Sequence, residues 1–159
     1  MIRIAPLHEI HYPELWRILR NYPEYFDDNL KCETRTLKGF ALYMRGKPGL
    51  VGINGNEVIG CSYLSEIYND FGEINIFVKR RSVRNDELLA IVKDNIKYFF
   101  NEFNLKMIYA LTRIDNKSCM RMMKYVGMKP MNVMKDYEIV DGKKKDCLMS
   151  VILREEVLK

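Results

Sequence analysis

The chain has 159 residues, of which 48% are hydrophobic and 30% charged, with only nine glycines and five prolines. That length and apolar content can bury a core without metal or disulfide staples, and they exclude disordered, collagen-like and low-complexity classes. The net charge of +5 points to an anionic partner: a phosphate-bearing cofactor, nucleic acid or an acidic protein.

Four cysteines, Cys32, Cys61, Cys119 and Cys147, form no C-x-x-C pair. This spacing argues against structural zinc and for reduced thiols, three of them in apolar runs. No apolar stretch reaches the roughly 18 residues a membrane span needs. No secretory leader pattern is present either, so a cytoplasmic location and no membrane contact are expected. One domain over residues 1–159 is expected.

Ile2-Arg3-Ile4 alternates as a first strand, closed by Pro6. Pro13 to Leu19 reads as a helix with Leu15, Ile18 and Leu19 on one side, and Pro13 suits its first turn. A polar, aromatic stretch from Asn21 to Glu33 follows, with Tyr22, Tyr25 and Phe26 beside Glu24, Asp27 and Asp28. A second helix is predicted from Thr34 to Met44, ended by Gly46 to Gly49. Leu50–Ile53, Val58–Tyr68 and Glu73–Val78 are strand signals, separated by Asn54-Gly55-Asn56 and by Asn69 to Gly72. In the last of these, Ile74, Ile76 and Val78 face one way, and Glu73, Asn75 and Phe77 the other.

A long helix is predicted over Asp86 to Phe103, with Leu88, Val92, Ile96 and Phe99 as its buried stripe and Asn85 as its N-cap. Met107 to Thr112 reads as a strand, and Ser118 to Val126 as a helix ended by Gly127. Met131–Val140 and Cys147–Leu153 read as a hairpin around Asp141-Gly142 and a lysine run. The predicted order is β-α-α-β-β-β-α-β-α-β-β. The strand–helix–strand over residues 73–112 requires one parallel pair with a crossover helix. The fold class is α/β (α+β): a mixed, mostly antiparallel sheet with helices on both faces.

Four segments carry a resemblance. Val58-Ile59-Gly60 follows a hairpin, and Ile74-Asn75-Ile76-Phe77-Val78 is the strand after it. Leu105-Lys106-Met107-Ile108-Tyr109-Ala110 is a later strand. Asn116-Lys117-Ser118-Cys119 leads, at fixed spacing, to Tyr125-Val126-Gly127-Met128. In this order, over nearly the whole chain, they resemble the GNAT superfamily of acyl-CoA-dependent N-acetyltransferases. The resemblance implies acetyl-CoA as cofactor and a fourth strand splayed from the fifth. It puts the pantetheine arm against the backbone of Ile76, Phe77 and Val78, and Asn116 at the cofactor side.

Two hallmarks of that family are missing. Its pyrophosphate loop reads Q/R-x-x-G-x-G/A, whose glycines let backbone N–H groups approach the phosphates at a helix N-terminus. Here the stretch Lys79-Arg80-Arg81-Ser82-Val83-Arg84-Asn85-Asp86-Glu87 has no glycine. An ungapped count puts Asp86 and Leu88 at the glycine positions, and a shifted one puts Val83 and Asn85 there. Arg80, Arg81 and Arg84 are the candidates to grip phosphate by side chains instead, beside Asn85. The family's proton-donating Tyr, seven residues after the Asn, is Met123 here. Tyr125 lies two residues on, about 200° round a helix, and is the substitute candidate.

The resemblance also calls for a base toward an acceptor amine. Glu73 is the best-placed carboxylate, with Glu66 and Asp70 behind it. The acidic, aromatic stretch from Tyr22 to Glu33 would border that acceptor and suit a cationic amine. His8 and His11 lack the helical i, i+4 spacing of a metal pair, so no metal is expected. Lys143-Lys144-Lys145 reads as a charged hairpin tip; nucleic acid is not favoured, because no aromatic residues interleave it.

Two functions follow. One is acetyl transfer from acetyl-CoA to a primary amine of a small molecule or protein, in a ternary complex. The other is a GNAT fold without catalysis, as in glycine-poor bacteriophage proteins that resemble this one, with the basic loop turned to a protein or nucleic acid.

Overall fold

The computed structural model describes residues 2–23 and 26–158. Glu24 and Tyr25 of the acidic, aromatic stretch therefore lie outside the described residues. Strand β1 (Ile2–Pro6) leads through one turn of 3-10 helix at Glu9–His11 into α1 (Tyr12–Asn21). Two short helices follow, α2 (Asp28–Glu33) and α3 (Leu37–Met44). Strands β2 (Gly49–Asn54), β3 (Glu57–Tyr68) and β4 (Phe71–Val78) form a meander ahead of the long helix α4 (Asn85–Glu102). Then come β5 (Met107–Arg113), α5 (Lys117–Tyr125), β6 (Lys129–Val140), β7 (Lys143–Leu153) and a last turn of helix, α6 (Arg154–Val157).

The described strands form one seven-stranded sheet in the order β1-β2-β3-β4-β5-β7-β6. Every neighbouring pair is antiparallel except β4 and β5, the pair bridged by α4. The mixed, mostly antiparallel sheet expected from the sequence is the one observed.

Each face of the sheet carries its own core. On one, α4 and α5 pack Val92, Ile96, Phe99, Phe100 and Met123 over Leu64, Ile74, Ile108 and Ile152. On the other, α1 and α3 pack Leu15, Ile18, Phe40 and Met44 over Val51, Cys61, Tyr63 and Phe77. Strand β4 feeds both cores by simple alternation, with Ile74 toward α4 and Phe77 toward α1 and α3. Phe99 and Phe100 are fully buried, so truncating either to Ala should cost about 3–5 kcal/mol. A buried polar bond pins α4 across the sheet: Asn95 Nδ2 donates to Ser62 Oγ at 2.8 Å.

The structure corrects four local expectations. Part of the polar stretch is helical, because Asp27 caps α2 by accepting the Leu30 amide at 2.8 Å. Thr34 does not open the next helix; its hydroxyl donates to the Leu30 carbonyl at 2.7 Å, and Thr36 caps α3 instead. Helix α4 has Arg84 at its N-cap, not Asn85, and no side chain caps it. The lysine run belongs to β7, anchored by ion pairs of Lys144 with Asp136 and Lys145 with Asp115.

Candidate active site

Strands β4 and β5 pair over three residues only: Phe71 with Met107, Gly72 with Ile108, and Glu73 with Tyr109. Beyond Glu73 the strands separate, and a cavity of about 720 Å³ opens between them. Its walls include Ile74 to Val78 of β4, Ala110 to Arg113 of β5, the start of α4, and α5. The far end is lined by α2, Tyr43 of α3, and Tyr137 and Glu138 of β6. The cleft passes from one face of the sheet to the other.

Glycine at position 60 lets β4 approach β3 at this point. A Cβ there would stand 2.4 Å from the Phe77 carbonyl oxygen. The Lys79 amide donates to the Ile59 carbonyl at 2.7 Å. In an antiparallel ladder the direction alternates, so Phe77 bonds back to β3 while the peptide groups of Ile76 point across the cleft. Ile76 and Val78 are half-buried, and Phe77 is buried against Phe26 and Tyr63.

The polar end of the cleft centres on Glu73. The register of β3 against β4 slips between Leu64 and Glu66, leaving Ser65 as an extra residue in a β-bulge. The slip sets Glu66 directly opposite Glu73. Ser65 Oγ donates to Glu73 Oε2 at 2.8 Å and accepts from Asn75 Nδ2 at 2.7 Å. Burial pushes the Glu73 carboxyl above its ordinary range; the Ser65 hydroxyl pulls it back, and Glu66 adds to the rise.

Tyrosines surround this carboxylate. Tyr43 and Tyr63 share a hydroxyl–hydroxyl bond of 3.1 Å, and Tyr63 is fully buried. Burial raises both phenols, and Tyr109 is pushed up to about 12 by burial and by Glu73. All three therefore stay protonated at neutral pH. The Lys47 ammonium lies 4.0 Å from the Tyr43 ring centre, and burial lowers its pKa.

The other side of the cleft is framed by two helix starts. Asn116 caps α5, accepting the Cys119 amide at 3.2 Å, and lines the cavity with Ser118, Cys119 and Arg121. Asn85, Leu88 and Leu89 bring α4 to the same wall. Arg121 is exposed and makes no ion pair among the described residues.

The glycine-free turn before α4 is mostly occupied with itself. Lys79 is ion-paired with Glu57, and Arg80 stacks 5.1 Å from the Tyr22 ring centre. Arg84 holds Asp86 at 2.6 Å. Arg84 and the Glu87 amide keep the Asp86 carboxyl below its usual range, so an internal anion sits at the α4 N-terminus. Arg81 takes a left-handed backbone, φ 60°, the conformation a glycine adopts without strain.

Of the candidates named from sequence, Glu73, Ile76, Phe77, Val78, Asn85, Asn116 and Tyr125 meet on this one cavity. Arg80, Arg81 and Arg84 are not on its wall. Tyr125 is 65% exposed, and Met123 is buried in the core. Glu66 lines the cavity, whereas Asp70 bonds Lys106 at 2.6 Å and joins β4 to β5. Phe26, Asp27, Asn29, Leu30 and Glu33 of the acidic stretch line the same cavity.

Sequence reasoning missed Ser65, Tyr43, Tyr137 and Arg121. Alternation from Tyr63 puts Ser65 on the Glu73 face, but a serine in a strand carries no chemical signal by itself, and only the bulge adds Glu66 to that face. Among the described residues no group of three His, Cys, Asp or Glu is arranged to hold a metal, and no helix is long and apolar enough to cross a membrane.

The sequence matches no family model. It is 31% identical over 77 residues to the 3-oxoacyl-[acyl-carrier-protein] reductase of Haemophilus influenzae, a match that spans 48% of this chain and 31% of that one. No two glycines here are spaced as G-x-G, so the dinucleotide fingerprint G-x-G-x-x-G is absent from the sequence.

The solved structures agree over almost the full chain. A spermidine N-acetyltransferase chimera from Vibrio cholerae and hSSAT has a TM-score of 0.80 at 15% identity, covering 99% of both chains. RimJ from Mycobacterium smegmatis, in complex with CoA-disulfide, has 0.81 at 16% identity, covering 99% of this chain and 84% of its own. RimL, a ribosomal L7/L12 α-N-protein acetyltransferase in complex with coenzyme A, has 0.81 at 13% identity, covering 96% of this chain and 93% of its own. The sheet order, the single parallel pair and the cleft at its splayed end are, with these likenesses, the GNAT fold.

Proposed function

We propose that this protein is an acetyl-CoA-dependent N-acetyltransferase acting on a primary amine. The observation that carries the reading is the through-going cleft at the β4–β5 splay, with an open strand edge along one stretch and a half-buried carboxylate at its far end. The spermidine N-acetyltransferase and RimL structures support it, and the RimJ and RimL structures hold coenzyme A forms.

The residues present fit acetyl-CoA over most of its length. The cleft volume suits an extended arm, and the Ile76 peptide groups can bond an amide-bearing chain. Asn85 and Arg121, both on the cavity wall, would meet the phosphates. When bound, acetyl-CoA supplies the thioester carbonyl that an amine attacks.

The protein's part is positioning and proton transfer. Asp27, Glu33 and Glu66 attract a cationic amine to the acceptor end. Glu73 takes the ammonium proton on Oε1, the oxygen that Ser65 does not occupy. Tyr125 holds a proton at the cleft wall for the departing sulfur. Because Tyr125 is exposed, water can replace it, and its loss should cost less than that of Glu73.

The test is calorimetry with acetyl-CoA, followed by acetyl transfer to a panel of polyamines and peptide N-termini. Micromolar binding together with transfer to one amine class supports the reading. No binding at millimolar acetyl-CoA overturns it. It would favour the second reading, a GNAT fold used as a binding module, for which the occupied cations of the glycine-free turn are the specific observation.

A further inference from the structure

We propose that Ser65 is a positioning residue for Glu73: its hydroxyl holds Oε2, leaving Oε1 as the oxygen that exchanges protons with the cleft. The use of that proton rests on the acetyltransferase reading; the arrangement itself does not.

The hydrogen-bond chain has one consistent polarity. Ser65 Oγ carries a single hydrogen and lies between Asn75 Nδ2 at 2.7 Å and Glu73 Oε2 at 2.8 Å. The asparagine nitrogen can only donate, so the serine hydrogen is committed to the carboxylate. Glu73 Oε1 has no hydrogen-bond partner among the described residues. The two carboxylate oxygens are thus made unlike by their neighbours.

A regular ladder would bring Ser65 to Glu73 but not Glu66. Without the extra residue, Ser65 itself would face Glu73 across the strands and Glu66 would turn to the opposite face. The bulge keeps Tyr63, Ser65 and Glu66 all on the cavity wall. It also sets two like charges directly opposite, an arrangement that costs stability in a sheet. A costly pair beside a cleft, with a hydroxyl placed to restrain one member, fits a site better than a packing solution.

The groups facing Glu73 come from every neighbouring element. Ser65, Glu66 and Tyr63 are on β3, Tyr109 on β5, Tyr137 on β6 and Tyr43 on α3, with Lys47 lining the same cavity. All of the phenols stay neutral near pH 7. Glu66 and Ser65 therefore act in opposite directions on Glu73, Glu66 favouring the protonated form and Ser65 the ionised one.

The test is a carbon-13 titration of the labelled Glu side chains, with the Glu73 signal assigned by its disappearance in Glu73→Gln. In Ser65→Ala the Glu73 midpoint should rise by about half a pH unit or more. Ser65→Thr, which keeps the hydroxyl and suits a strand, should restore it. Asn75→Ala should give a smaller shift of the same sign, because the hydroxyl then loses its orienting donor. In the kcat/KM profile the acid limb should move with the titration. That gives roughly a threefold loss at a fixed pH on the limb, with the plateau kept.

A Glu73 midpoint in Ser65→Ala that overlays the wild type overturns the proposal, as does an equal loss of activity at every pH with no shift. The titration needs no cofactor. If the wild type binds no acetyl-CoA, the acetyltransferase reading falls while the assignment of Ser65 is still decided.

Discussion

At the Glu73 end of the cleft, polar side chains hold one another and leave one carboxylate oxygen open. Ser65 bonds Glu73, Asn75 bonds Ser65, and Tyr43 bonds Tyr63. In the basic turn before α4 the side chains also hold one another, but there the pairing consumes the charges a phosphate ligand would need. Lys79 is taken by Glu57 and Arg84 by Asp86. One region has its hydrogen bonds arranged around a reactive group. The other has its own anion at a helix start. The comparison teaches that cation count is a poor guide to a phosphate site. What matters is which cations are unpaired and which amides are uncapped.

Substitutions at four places in the molecule test this contrast. The largest effect is expected at the Glu73 end: Glu73→Gln should lower kcat by about 10²–10⁴-fold, with acetyl-CoA affinity unchanged by calorimetry. The raised carboxyl pKa gives this site a pH signature. The base form is present only above that value, so wild-type kcat/KM should fall along an acid limb lying above the ordinary glutamate range. A raised carboxyl pKa also means that the native state loses stability as pH climbs past it. Glu73→Gln should then melt higher than wild type at neutral pH, a stability gain coupled to lost activity.

Next comes the strand edge. Gly60→Ala sets a Cβ against the Phe77 carbonyl and should cost about 1–3 kcal/mol in denaturant unfolding. If β4 shifts to relieve it, acetyl-CoA binding weakens as well.

Around the start of α4 and Arg121 the expected signs are unequal. Arg121→Ala should weaken acetyl-CoA binding by about fivefold, the scale of one partly exposed charge contact. Arg84→Ala should change it by less than about twofold, because the same change frees Asp86. Asp86→Asn should tighten binding severalfold by removing the internal anion. Tighter binding in that variant would separate a blocked site from an absent one.

The smallest effect belongs to the rim. Asp28 accepts the amides of Asp141 and Gly142, both at 2.9 Å, which ties α2 to the tip of the β6–β7 hairpin. Those amides hold the Asp28 carboxyl below its usual range. Its contribution is therefore complete above the unfolded carboxylate pKa and is lost as pH falls through the lower folded value. Asp28→Asn should lower the melting midpoint slightly at pH 7 and not at all in strong acid.

Much of the fold was legible because it depends on period. The alternation of β4 assigns Ile74 and Phe77 to opposite cores, and the stripe of α4 is the observed one. The site was legible only in part. Glu73 could be named because alternation sets it beside Asn75 and Phe77. Ser65 was passed over: alternation gives its face, but its bond to Glu73 depends on a strand pairing that the sequence does not spell out. The α4 cap was misassigned to Asn85, a good capping residue by type; the turn ahead of it ends one residue earlier, at Arg84. The arginines of the turn were read as available because a sequence shows charges and hides their partners. Tyr22, beneath Arg80, lies far away in the chain.

The brevity of the β4–β5 ladder has a consequence for motion. Only three residue pairs join strands β1–β4 to strands β5–β7. Past them, the Ile76 amide is left out of the ladder and should exchange its hydrogen early, ahead of its neighbours on β3. A molecule lying in the cleft would act as a missing strand, bonding both walls at once. Its binding should then slow exchange at Ile76 and raise the unfolding free energy with the logarithm of its concentration. The sheet would be completed by its own ligand.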